Sequence, residues 1–155
     1  MSIVIDGRVP FNPSAFSEFV IPASQIPDVV KQWDAKAGEA DFAVLMFKSP
    51  YALAGEDPWV NLQYSVQDGD LGIDWVLLGS RNIEDRRRIS EFMSKAGYLV
   101  MIRETNDVLF LRVEDGDVAA LGLSIVTDCY QIDSKAEIRV LVNSPTYQSE
   151  PRPCQ

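Results

Sequence analysis

The sequence predicts a single α+β domain in which helices pack on a mainly antiparallel sheet. Its 155 residues, 46% apolar and 24% charged, have the usual size and composition of one globular domain. Two segments alternate apolar and polar residues around short turns, as hairpins do. Two others repeat apolar residues at helical spacing. We therefore expect one domain over residues 1–145 and a flexible polar tail over 146–155.

The N-terminal half is predicted to be an α/β extension. Residues 3–5 form a short strand, and helical spacing predicts a helix over 24–37 that ends at Gly38. The short apolar run 41–48 predicts a strand covered on both faces, although buried helix remains an alternative. Between the first strand and the helix lies a proline-rich arm expected to pack across the core through Phe11, Phe16, Phe19, Val20 and Ile21.

Residues 59–78 predict a hairpin whose strands, 59–66 and 71–78, meet at the turn Asp68-Gly69. Asn82 is the expected N-cap of the helix that follows, and Gly97 ends that helix. A second hairpin is predicted with strands at 98–103 and 108–113. Asp115 and Asp117 are both candidate caps for an almost wholly apolar helix that includes Cys129, and 136–142 predicts a closing strand.

From residue 71 to residue 142 the predicted order is strand, helix, strand, strand, helix, strand, which is that of a ferredoxin-like βαββαβ unit. One conflict arises within this arrangement. The strand 59–66 competes with another strand of the unit for a place beside 71–78. We therefore expect the N-terminal half to rearrange the sheet.

Charge and composition exclude several functions. Without histidine the chain cannot build Ser-His-Asp, Cys-His or His-containing zinc sites. A net charge of −9 disfavours binding to nucleic acid or to anionic membranes, although acidity for solubility alone is an open alternative. Cys129 is expected to pack in a helix and Cys154 to lie in the tail. Without a leader or an apolar run of membrane-spanning length, cytoplasmic residence is the simplest expectation.

Between Lys48 and Arg81 the chain has no lysine or arginine, yet it has several acids and aromatic residues. Such a combination suits docking on a basic protein, because negative charge speeds association and an aromatic ring supplies desolvated contact area. The alternative is that the acids serve turns and the tryptophan belongs to the core. The predicted partner-binding residues are Glu56, Asp57, Trp59, Asp68, Asp70 and Asp74.

Other charged motifs have ordinary structural interpretations. Asp68-Gly69-Asp70 lacks the ligand spacing of a calcium loop and is interpreted as a turn. Residues 114–117 are likewise interpreted as a turn with a helix cap, and Arg86-Arg87-Arg88 as a solvated helix face. No cofactor and no metal site is predicted, although a carboxylate-based or metal-dependent enzyme remains a third hypothesis.

The segment WVNLQYSVQDGDLGIDWVLLGSRNIEDRRRISEF, in an acidic and histidine-free domain of this size, resembles bacterial immunity proteins that neutralise polymorphic or contact-dependent toxins. This resemblance implies a non-catalytic inhibitor of a basic toxin domain. The segment RRRISEFMSKAGYLVMIRE is similar to the acidic ferredoxin-like regulators of bacterial ribonuclease E, which implies the second hypothesis, a regulator of an endogenous enzyme. Pairing of strand edges in a homodimer is also left open.

Overall fold

A computed structural model describes the backbone of residues 4–5 and 9–10 and the whole of residues 17–143. It confirms the α+β class. Among the described residues, seven antiparallel strands form one sheet in the order β3-β9-β4-β5-β6-β8-β7, while β1 and β2 pair with each other. The strands are β1 Val4–Ile5, β2 Val9–Pro10, β3 Ser17–Pro22, β4 Phe42–Lys48, β5 Trp59–Gln67, β6 Asp70–Val76, β7 Met101–Thr105, β8 Val108–Val113 and β9 Glu137–Val142.

The helices described by the structure share one core with a single face of the sheet. That core includes Trp33, Ile89 and Leu121 from the helices and Leu62 and Val140 from the strands. None of the helices within 17–143 has the length and apolarity needed to cross a membrane. The helices are α1 Ile26–Asp34, which follows a 3-10 turn at Ala23–Gln25, α2 Ser80–Glu84, α3 Arg86–Lys95 and α4 Val118–Ser124, which continues as a π-helical segment at Ile125–Cys129.

The predicted ferredoxin-like unit is not confirmed as one contiguous sheet. Its first three strands do lie in the order β6-β8-β7, but β4 and β5 separate β6 from β9. The physical reason is the β5–β6 hairpin, in which Tyr64 pairs with Ile73. This hairpin occupies the edge of β6 that β9 would need, so β9 pairs instead between β3 and β4.

The expected irregular arm is in part a strand. Phe19, Val20 and Ile21 belong to β3, which pairs along its length with β9. Their alternation places Phe19 and Ile21 against the core and leaves Val20 exposed. Phe11, Phe16, Cys154 and the predicted tail at 146–155 lie outside the described residues.

The helix predicted to begin at Asn82 begins instead at Ser80 and is interrupted at Asp85. The Asn82 side chain is buried and does not cap the helix. Its amide donates to the carbonyls of Asn61 and Val76, both at 2.9 Å, and thereby ties α2 to the adjoining strands. An Asn side chain can bond to distant backbone groups as well as to its own helix, and here the distant groups win.

Both predicted hairpin turns are present, each with two residues of positive φ. Asp68 and Gly69 have φ values of 53° and 79°, and Asn106 and Asp107 have 50° and 67°. These values are those of the type I′ turn that suits two-residue hairpins. The first strand of the second hairpin starts later than predicted, at Met101. Of the two candidate caps, Asp117 begins α4 and accepts from the Ala120 amide at 3.1 Å.

Candidate functional site

Asp74, one of the six predicted partner-binding residues, lies in the interior. Its exposed fraction is 1%, and that of Arg112 beside it on β8 is 0%. The two residues are directly opposite each other in the β6–β8 pairing, and Arg112 Nη1 donates to Asp74 Oδ1 at 2.8 Å. The surface role predicted for Asp74 is therefore wrong, because this carboxylate is the counterion of a buried arginine.

Polar neighbours complete this buried pair. Ser65 and Gln63, both on β5, donate to the other Asp74 oxygen, and Arg112 also donates from Nε to Glu114 at 2.7 Å. Burial raises the pKa of Asp74, against the opposing influence of the Arg112 charge. The hydrogen bond from Arg112 lowers the pKa of Glu114. The cluster explains why acids appear here without implying a partner.

Asp68 and Asp70 are exposed at the tip of the β5–β6 hairpin. The tip is braced by Glu39, whose carboxylate accepts from the Asp68 amide at 2.6 Å and from the Gly69 amide at 3.1 Å. Glu39 is exposed as well, so three acids share this end of the molecule. We call Glu39, Asp68 and Asp70 the acidic tip.

Glu56 and Asp57 lie at the opposite end of β5, in the loop between β4 and β5. From Trp59 to Gln67 the strand rises by about 26 Å, at about 3.3 Å per residue, so this loop is far from the acidic tip. The six predicted residues therefore do not form one surface. The structure divides the five that remain into the acidic tip and a region around Glu56, Asp57 and Trp59.

The loop with Glu56 and Asp57 is held against α2. Glu56 Oε1 accepts from the Leu53 amide at 2.7 Å and from Arg81 Nη1 at 3.4 Å. Asp57 accepts from the Trp59 amide at 3.0 Å and from the Ser80 hydroxyl at 3.5 Å. Both acids remain exposed while making these bonds. They therefore serve the loop and still present negative charge.

Exposed apolar side chains accompany these two acids. Leu53 is 72% exposed, and the exposed Leu78 and Ile83 lie just before α2 and within it. Glu84 adds a further exposed acid on α2. We call Leu53, Glu56, Asp57, Leu78, Ile83 and Glu84 the loop–helix surface. It combines desolvatable area with negative charge, as a docking surface for a basic protein requires.

Trp59 is half-buried and points away from the helices. The Lys48 ammonium lies 5.4 Å from its ring centroid, an intramolecular cation–π distance. Trp59 also lines a groove of about 480 Å³ with Val20, Met46 and Arg139. The ring thus lies on the other side of the sheet from α2, and two cations, Lys48 and Arg139, share its groove.

One polar cluster was missed by the sequence reasoning. Arg81, in α2, is buried and donates to Asp85 at 2.9 Å, and the Tyr130 hydroxyl donates to the second Asp85 oxygen at 2.6 Å. The i, i+4 spacing of Arg81 and Asp85 was a readable signal. The contribution of Tyr130, which follows the π-helical segment, was not readable. This cluster joins α2 to the end of α4 through its π-helical extension.

Cys129 lies beside that cluster. It is buried, as the sequence predicted, and burial raises the pKa of its thiol to about 11. A thiol with a raised pKa is a poor nucleophile at neutral pH. The residues described by the structure hold no group of three or more His, Cys, Asp or Glu side chains placed to bind a metal ion.

Comparison with known proteins gives no relative from which a function can be transferred: no family model, curated protein or solved structure matches this chain.

Proposed function

We propose that this protein is a non-catalytic inhibitor that binds a basic toxin domain in the bacterial cytoplasm, and that it does so through the loop–helix surface. The observation that carries the proposal is the coincidence, at one end of the sheet, of exposed acids with exposed apolar side chains. Glu56, Asp57 and Glu84 supply the charge. Leu53, Leu78 and Ile83 supply the apolar area.

Local electrostatics support a basic partner. Glu56 forms an ion pair with Arg81, whose guanidinium is buried and also bonded to Asp85. The positive charge of Arg81 is therefore neutralised inside the molecule and is not presented at the surface. With a net charge of −9, the whole chain adds a long-range attraction for a cationic protein. The acidic tip contributes to that attraction from a distance.

The geometry also favours a stable docking surface over a loose one. Four hydrogen bonds from Leu53, Trp59, Ser80 and Arg81 to the two loop carboxylates hold the loop in place. A loop ordered before binding loses less conformational entropy when it docks. Both carboxylates are thus structural as well as electrostatic, but only Glu56 pairs with the charge of the buried Arg81, so Asp57, Glu84 and Ile83 are the better positions for mutation.

The test is capture from the native host followed by titration with the captured protein. We expect a basic partner whose toxicity disappears on co-expression with this chain. The double variant Asp57→Lys/Glu84→Lys should weaken binding at least tenfold at low salt, with a smaller effect at high salt because screening weakens the charge interaction. Ile83→Ser should weaken binding at both salt concentrations.

The matched control is the charge reversal Asp68→Lys/Asp70→Lys at the acidic tip. It changes the net charge by the same amount, so it should slow association slightly and leave dissociation unchanged. Equal effects of the two double variants would overturn the loop–helix surface as the docking site. Capture of a housekeeping enzyme, regulated but not toxic, would overturn the toxin assignment and favour the regulatory hypothesis.

A further inference from the structure

The outer edge of the sheet at β7 is open. In the described part of the chain, β7 pairs only with β8, and its other side has no strand beside it. The side chains at this corner are apolar and exposed: Ile102 by 74%, Leu99 by 61% and Leu109 by 46%. Open apolar edges are pairing sites unless charges or bulges protect them. The opposite edge strand, β3, exposes only one large apolar residue, Val20.

Hairpin geometry identifies the free backbone groups. The β7–β8 turn has two residues, Asn106 and Asp107, so the flanking pair Thr105 and Val108 exchanges both hydrogen bonds. Because peptide orientation alternates along a strand, Thr105, Arg103 and Met101 direct their peptide groups at β8. Ile102 and Glu104 direct theirs outward. Ile102, the most exposed of the three apolar residues at this corner, therefore has an outward-directed donor and an outward-directed acceptor.

The charges at this edge do not protect it. Arg103, the only cation of β7, is held at 3.1 Å by Glu114, the residue that follows β8. Glu104 is the remaining charge on the strand. The edge is thus close to neutral in a chain whose net charge is −9. Neutrality at one edge removes the local repulsion that keeps two copies apart elsewhere.

We propose that two copies of this chain pair antiparallel through β7, with a two-fold axis at Ile102, to form a continuous fourteen-stranded sheet, twice the seven strands of one copy. Two other symmetric registers place Arg103 opposite Arg103 or Glu104 opposite Glu104, and like charges directly opposite are destabilising. The Ile102 register places Arg103 opposite Met101 of the other copy. It also uses the outward groups of both Ile102 and Glu104.

The interface has two parts. Two reciprocal hydrogen bonds join the Ile102 residues, and each Glu104 meets the backbone of Val100 in the other copy. On the helix side, Ile102 and Leu109 of both copies form one apolar strip. Burial of these exposed side chains supplies the free energy, at about 25 cal/mol for each Å² removed from water. Added salt should strengthen pairing, because it screens the repulsion between two acidic copies.

The first experiment is sedimentation equilibrium of the full chain across a range of concentrations and at two salt concentrations. We expect a reversible dimer that salt stabilises. Ile102→Lys should raise its dissociation constant at least tenfold. The matched control, Val20→Lys on the opposite edge strand, should leave it unchanged. A monomer at every concentration, or equal effects of the two variants, would overturn the proposal.

The second experiment tests the register by disulfide cross-linking in a Cys154→Ser background. Cα atoms of a hydrogen-bonded antiparallel pair are about 5.5 Å apart, within the range that a disulfide spans. Ile102→Cys should therefore cross-link rapidly under mild oxidation. Thr105→Cys, which the proposed register places far from its copy, should not. Faster cross-linking at Thr105 would overturn the Ile102 register.

Discussion

Arg112 is the residue that organises one face of the sheet. Its five N–H groups meet acceptors from two strands, β5 and β6, and from the residue that follows β8: the Ser65 hydroxyl and carbonyl, the Asp74 carboxylate, the Asp70 carbonyl and Glu114. Gly72 makes room for it, because a Cβ there would lie 2.6 Å from the Arg112 guanidinium carbon. A buried guanidinium needs full satisfaction of this kind to be tolerated.

The first prediction concerns this pair. Asp74→Ala should lower the free energy of unfolding by about 3–5 kcal/mol, because it leaves the Arg112 charge buried without its counterion. Urea denaturation provides the measurement. Adding Arg112→Met should recover part of the loss, since the unpaired charge is then gone.

Asp70→Ala, on the same strand but exposed, is the control and should change stability by no more than about 0.5 kcal/mol. A loss at Asp74 as small as the control's would show that the carboxylate is dispensable.

The second prediction is a pH dependence that belongs to Glu114. The bond from Arg112 lowers the pKa of this carboxyl below 4.5, so its contribution is present above its unfolded-state pKa and is lost as the pH falls through the folded-state pKa. Stability of the wild type and of Glu114→Gln should therefore converge between about pH 5 and pH 3. Urea midpoints measured across that range test this.

Asp74 has a raised pKa and acts in the opposite direction, but it is present in both proteins and cancels in the comparison. A gap between wild type and Glu114→Gln that stays constant with pH would contradict the assigned direction.

Some residues of the candidate site could be placed correctly from the sequence. The others could not, and the reason is physical. Glu56 and Asp57 were correctly placed in an exposed loop, because a Pro- and Gly-containing segment reports local structure. Asp74 was misplaced because its partner Arg112 is 38 residues away along the chain. Nothing in a single sequence distinguishes a strand acid that faces solvent from one that faces a buried arginine on a neighbouring strand.

At the level of elements, α4 approaches the sheet closely through Gly122. A Cβ at this position would overlap the Tyr64 hydroxyl and lie 3.0 Å from Tyr64 Cζ. Tyr64 itself is buried on β5, and its hydroxyl donates to the Val118 carbonyl at 2.7 Å. The absent side chain thus permits a strand to bond directly to the first turn of a helix.

The third prediction is that Gly122→Ala destabilises the protein, by about 1–3 kcal/mol as overpacked cores do, although alanine is the better helix former by about 1 kcal/mol. Thermal unfolding provides the measurement. Combining it with Tyr64→Phe should cost less than the sum of the two single changes, because removing the hydroxyl relieves the worst overlap. Strict additivity of the two changes would contradict this contact.

Element boundaries show the same division between local and distant causes. The hairpin turns at Asp68 and Asn106 were predictable, because positive φ demands particular residue types. The break at Asp85 was not, since it depends on Tyr130 and Arg81 bonding to that carboxylate. The π-helical segment at Ile125–Cys129 likewise has no local sequence signal, because Ile125 and Cys129 continue the apolar stripe of α4.

Over the whole molecule, β9 holds the two halves of the chain together. This last strand lies between β3 and β4, both from the N-terminal half. The predicted order of elements along the chain was nearly complete. The predicted order of strands in the sheet was not correct, because β5 pairs with its sequence neighbour β6 and displaces β9. A local hairpin closes at a lower loop-entropy cost than a distant pairing. Such competition between strands is visible only when all seven are considered together.

The last prediction follows from that position of β9. Ile138 is fully buried on the core face of β9. Its replacement by alanine should lower the free energy of unfolding by about 2–5 kcal/mol. Because β9 bridges the halves, the loss should appear equally in the unfolding of each. Trp33 reports on α1 and Trp75 on β6. In two single-tryptophan variants that retain one or the other, Ile138→Ala should therefore lower the urea midpoint of the fluorescence transition by the same amount. If only the Trp33 transition moved, the N-terminal elements would form a separate unit and β9 would not couple them to the rest of the sheet.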